Sequence, residues 1–131
     1  MATVQTVLGP IDAAELGPTL VHEHIHFSYP GDVFDPTGRF DRAEAIEGAV
    51  ERMRGLSEHG IRTVVDPAPI EMGRDPSFVA EVSERSGMQL VCATGFYVEA
   101  IGIPYYWRNG PTRRSRICSA TRSSTASARR G

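Results

Sequence analysis

The stretch Ile61-Arg-Thr-Val-Val-Asp66 has almost no polar alternation over the length of a strand, the pattern of a strand covered on both faces. Strands of that kind belong to parallel sheets joined by crossover helices, and the flanking sequence supplies the helices. Upstream, Asp41 to His59 places Ile46, Ala49, Val50 and Met53 at i, i+3, i+4 and i+7. Asp41 is a cap, Glu44 stands where a capping box needs it, and Gly60 ends the helix. Downstream, Asp75 and Pro76 open a second helix that runs to Gly87, with Phe78, Val79 and Val82 on its apolar side. Gln89 to Thr94 reads as the following strand and Thr19 to His24 as the preceding one, after a hairpin from Val4 turned by Gly9-Pro10. The order strand, helix, strand, helix, strand predicts an α/β fold of βαβ units with right-handed crossovers and a parallel sheet. This periodicity alone allows either a doubly wound sheet or a barrel.

In both architectures, sites form beyond the C-terminal strand ends, where His22, His24, Asp66 and Tyr97 all fall. His22 and His24 are two residues apart, so on a strand both imidazoles leave the same face and converge on one point. Neutral imidazole nitrogens suit zinc and similar divalent ions, while a bare His-x-His also occurs as two polar residues at a strand end. Asp66 either orients a metal-bound histidine or hydrogen-bonds loop amides. His26 is in phase with His24 but lies further into the loop, outside the ligand set. His59 falls in the last helical turn, where the partial negative charge gives it a structural place. Between Tyr29 and Gly38 the chain is rich in turn formers and suits an active-site loop.

The chain has 131 residues, one domain at most, and two cysteines, too few for a disulfide framework; Cys92 and Cys118 read as small incidental residues. No apolar run is long enough for a membrane span and the first residues lack a signal-peptide pattern, so a cytoplasmic protein is expected. Charge is unevenly spread. All sixteen acids and seven arginines fall in residues 1–107, whereas residues 108–131 hold seven arginines and no acid. There is no lysine, which suggests a GC-rich coding sequence.

The segment Gly17-Pro-Thr-Leu-Val-His-Glu-His-Ile25 resembles the signature near the start of the phosphotriesterase family, metal-dependent hydrolases of the amidohydrolase superfamily. Three further stretches resemble the same family in the same order: Val4 to Ile11, Thr63-Val-Val-Asp-Pro67 with Gly73-Arg-Asp75, and Val91-Cys-Ala-Thr-Gly-Phe-Tyr97. The resemblance covers about residues 4–107 and stops after Arg108. It selects the barrel, and implies that this chain holds about three β/α units of an incomplete (β/α)8 TIM barrel.

The resemblance also implies two divalent metals, commonly zinc. The first-strand histidines bind one of them, and a carboxylated lysine, further histidines and an aspartate from later strands complete the site. A metal-bound hydroxide then attacks a phosphotriester, lactone or related small ester. Only His22 and His24 carry over as ligands. Tyr97 matches a substrate-facing position at the pocket edge, with core packing as the alternative, and Tyr105, Tyr106 and Trp107 read as barrel-rim packing. With no lysine in the chain, and no Asp, Glu or His after Glu99, the expected polypeptide is inactive alone.

Residues 109–131 form an Arg/Ser-rich tail with one sizeable aliphatic, Ile117, and are expected to be a separate disordered segment after a fold spanning 1–108. One reading is a basic nucleic-acid-binding arm on a non-enzymatic α/β remnant, although it lacks stacking aromatics. The other is a displaced reading frame. Back-translating Pro111 to Gly131 into GC-rich codons and skipping two bases yields DEEIADLFRHEIEHGIGETG, an acidic-start amphipathic helix of the kind the family carries after its third strand.

Overall fold

The protein is described from a computed structural model covering residues 2–29, 31–98, 100 and 103–109. Strands β1 (Thr3–Thr6) and β2 (Gly9–Asp12) form an antiparallel hairpin. Strands β3 (Thr19–Leu20), β4 (Thr63–Asp66) and β5 (Gln89–Cys92) form a parallel sheet in that order. Helix α1 (Arg42–Glu58) connects β3 to β4, helix α2 (Pro76–Ser86) connects β4 to β5, and a single turn, α3 (Tyr105–Arg108), follows. The predicted α/β order with a parallel sheet is therefore present. The segment after Asn109, including Cys118, lies outside the described residues.

Both long helices begin where their sequence signals stand. The Asp41 carboxylate accepts from the amides of Ala43 (2.8 Å) and Glu44 (3.1 Å), and that of Asp75 from Ser77 (2.9 Å) and Phe78 (3.1 Å). These caps satisfy amides that have no partner in the first helical turn. Gly87, at φ 75°, ends α2 by donating to the Ser83 carbonyl. The His59 ring closes α1 through Nδ1 and the Gly55 carbonyl at 2.9 Å, a structural contact as expected.

The core lies between the sheet and the two helices. Val64 and Leu90, paired in register, meet Ile46, Ala49, Val50 and Met53 from α1 and Phe78, Val79 and Val82 from α2. Arg42–Glu81 at 2.8 Å and Arg85–Glu47 join the helices at the surface, where such pairs contribute little. On the opposite face of β4 and β5, Thr63, Val65, Gln89 and Val91 share one side. Thr63 is buried there, donating its hydroxyl to the Leu16 carbonyl at 2.6 Å, but Val65 and Val91 stay half-exposed. Coverage of β4 on both faces, expected from its apolar run, is thus met on the helix side only.

Two boundaries differ from expectation. The hairpin turns at Val7-Leu8, with Gly9-Pro10 already in β2. Thr6 closes that turn: its hydroxyl donates to the Gly9 carbonyl at 2.7 Å and accepts from the Leu8 amide at 3.3 Å. The first parallel strand stops at Leu20, short of the histidines.

The Asp75 cap sets a testable pH dependence. Burial raises its carboxyl, and the Ser77 hydroxyl, the Phe78 and Ser77 amides and the Arg42 guanidinium outweigh that and hold it below its ordinary value of 3.8. A depressed carboxyl contributes stability that is present above its unfolded value and lost as pH falls through the folded one. Asp75→Ala is expected to cost about 1 kcal/mol at neutral pH in urea unfolding. The gap from wild type should close as the pH drops below 3.8; a gap that widened in acid would sink this account.

Candidate metal centre

Past Leu20 the chain leaves regular pairing but stays alongside β4, because the Glu23 amide donates to the Val65 carbonyl at 3.2 Å. Ile25 turns inward and is 4 % exposed, while His22 and His24 face outward. Their rings stand edge to face with centroids 5.5 Å apart. The pair is brought together as predicted, though by an irregular segment and not by strand pleating.

Asp66, at the end of β4, is 4 % exposed and serves the loop amides, one of the two places open to it in the sequence. It accepts from the loop amides of Ile25 (Oδ2, 3.2 Å) and Ala68 (Oδ1, 2.9 Å), and its Oδ1 also lies 3.4 Å from His24 Nδ1. With Nδ1 turned toward an acceptor, Nε2 is the His24 nitrogen left for a ligand.

Two imidazoles sharing one tetrahedral zinc through nitrogens at about 2.0–2.1 Å have centroids roughly 5 Å apart, close to the 5.5 Å observed. Among the described residues no group of three or more His, Cys, Asp or Glu stands close enough to hold an ion. The histidine pair therefore stands, among the described residues, without the further ligands of a stable site.

His26 is not in phase with His24. Its ring packs against Phe78 of α2 (4.9 Å) and Phe40 (5.1 Å), away from the pair, because the segment past Leu20 is no longer a regular strand. Tyr97 is 50 % exposed, and its amide donates to Glu71 Oε2 at 3.2 Å. Of the three aromatics expected to pack at the rim, Tyr105 and Tyr106 are exposed; Trp107 is half-buried against Phe96 and Tyr106.

Sequence reasoning missed two contributors. Phe27 lies edge-on to His24 (5.8 Å) and to Tyr29 (4.9 Å), so an aromatic ladder runs outward from the histidines. Its only sequence trace is its place in the same opening stretch. Glu71 holds the Tyr97 amide from 26 positions away, a contact with no local signal.

The profile of the Phosphotriesterase family matches residues 2–117. The chain belongs to the Phosphotriesterase family. The match runs on past Arg108, where the motif resemblance ends. Relatives within the family include the "Phosphotriesterase homology protein" of Mycobacterium tuberculosis, 34% identical over 109 residues, covering 82% of this chain and 33% of that protein. The "Aryldialkylphosphatase" of Saccharolobus solfataricus is 31% identical over 105 residues, covering 76% and 31%. Among solved structures, the organophosphorus hydrolase from Deinococcus radiodurans superposes with a TM-score of 0.74 at 47% identity, over 88% of this chain and 34% of the other. A structure titled for organophosphate hydrolysis engineered from a weak promiscuous lactonase template gives 0.75 at 45%, over 88% and 35%. The chain spans about a third of the length of these family members.

His26→Ala is expected to lower stability by about 1 kcal/mol through its lost ring contacts and to leave Zn²⁺ affinity unchanged in a calorimetric titration. A fall in affinity would place His26 in the ligand set.

Proposed function

We propose that the chain forms the N-terminal part, residues 1–108, of a (β/α)8 hydrolase that acts on phosphotriesters, lactones or related small esters. His22 and His24 hold a divalent metal, zinc by resemblance, and Tyr97 faces substrate. The observation that carries this reading is the ligand-compatible pair of imidazoles at the end of the parallel sheet, inside the segment matched by the family. The names of its relatives, an aryldialkylphosphatase and an engineered lactonase template, supply the substrate classes. His22 and His24 would hold the ion, which would supply Lewis-acid activation of water and of the ester oxygen. Within this chain, Asp66 and the Glu23 backbone fix the histidines, and Phe27 and Tyr29 wall one side of them with apolar surface.

Two imidazoles fall short of the three or four protein ligands of a stable zinc site. On this reading the 131-residue chain binds metal weakly and is inactive alone. The basic stretch is read as a displaced frame of a longer barrel, beginning inside or after the matched segment 2–117. Among the described residues no helix is long and apolar enough to cross a membrane.

Titration of the purified chain with Zn²⁺ should show weak saturable binding that either His22→Ala or His24→Ala removes. No metal-dependent turnover of a lactone or a paraoxon-like ester is expected above the buffer rate. Binding that survives both substitutions would remove the site, and turnover by the wild-type chain would overturn its inactivity alone.

A further inference from the structure

Asp66 stands in an unusual relation to the two histidines. It belongs to a different strand, is almost fully buried, and contacts the histidine segment twice: through the amide of Ile25 at 3.2 Å and through the ring of the preceding residue, His24, at 3.4 Å. Its other bond, from the Ala68 amide at 2.9 Å, and its own backbone carbonyl, which accepts from Ala93 at 2.8 Å, tie it to the ends of β4 and β5. A carboxylate held on both oxygens has little freedom to follow the imidazole, so the ring is the part that adjusts.

We infer that Asp66 is a positioning residue that keeps the His24 proton on Nδ1 and so presents Nε2 as the ligating atom. The chemistry follows from the acceptor-only character of an ionised carboxylate. The imidazole nitrogen facing it carries hydrogen, and in the neutral ring the lone pair then resides on the other nitrogen. The contact at 3.4 Å is longer than a relaxed hydrogen bond, so Asp66 selects the tautomer by charge and proximity rather than by a tight clasp. His22, with no carboxylate contact of this kind among those described, has no such selection. The two histidines therefore have separate parts: His24 is set in advance by the fold, and His22 completes the pair from the exposed side.

The inference rests on the reading of His24 as a metal ligand only for its consequence, since the tautomer itself is a property of the metal-free chain. Long-range ¹H–¹⁵N correlation spectra of the full 131-residue chain without metal separate protonated from unprotonated ring nitrogens. The expected result is a His24 ring with Nδ1 protonated and Nε2 free, and a mixed population for His22. In Asp66→Asn, His24 should become mixed as well, and its Zn²⁺ affinity should fall by about 10–100-fold.

A wild-type His24 protonated on Nε2 would overturn the inference, as would an Asp66→Asn variant with unchanged tautomer and affinity, since Asp66 would then serve the loop amides alone. Should Asp66→Asn not fold, the wild-type spectrum still decides. If the predicted tautomer is found and Zn²⁺ leaves the ring signals of both histidines unmoved, the positioning role holds and the metal reading is the part that fails.

Discussion

The carboxylate of Asp66 is the point on which the loop face depends. A carboxylate that is 4 % exposed is stable only when its lone pairs are filled, because an unpartnered buried charge costs several kcal/mol. Here the filling donors belong to two different loops, one following β3 and one following β4 itself. Meeting the carboxylate's requirement therefore fixes the loops against each other. The segment after Leu20 needs such an anchor, since it has given up the ladder and retains a single backbone bond to β4 at Glu23. With that anchor the chain turns Ile25 into the core and leaves His22 and His24 outside.

The helices were legible because their determinants are local. Asp41 and Asp75 act on amides two and three residues away, and each apolar stripe, from Ile46 to Met53 and from Phe78 to Val82, is buried where the period puts it. The first strand was less legible because its end is set at a distance. A period of two places His26 beside His24, yet His26 lies on Phe78, whose position follows from the packing of α2. The hairpin shows the same limit on a smaller scale. Gly9-Pro10 carries the usual turn chemistry, but the Thr6 hydroxyl closes the chain earlier and Gly9 is used in the strand instead. A side chain that bonds to its own backbone competes with the pattern of glycines and prolines, and composition does not show which will prevail.

The sheet and the site fall short in the same direction. The apolar run through β4 encodes two buried faces, and α1 and α2 cover only that of Val64, leaving Val65 and Val91 half-exposed. The rings of His22 and His24 stand 5.5 Å apart, and no third His, Cys, Asp or Glu completes a metal-holding group with them among the described residues. The strand pattern and the histidine pair were readable from sequence because each is carried by a few adjacent residues, whereas what packs on Val65 and Val91 is not local to them.

Two acids on the loop face show how unevenly it is determined. Asp66 has both oxygens occupied, and the residues around it are held by bonds from two loops. Glu71 has Oε2 bonded to the Tyr97 amide, but its Oε1 is buried without a partner among the described residues, a defect that costs about 1–3 kcal/mol. It borders a cleft of about 310 Å³ lined also by Ser28, Gly73 and Trp107. The histidine pair is therefore fixed by satisfied interactions, whereas Tyr97 is tied to a group that gains by rearranging. Tyr97 is thus joined to a carboxylate satisfied on one oxygen only, whereas His24 lies beside one satisfied on both.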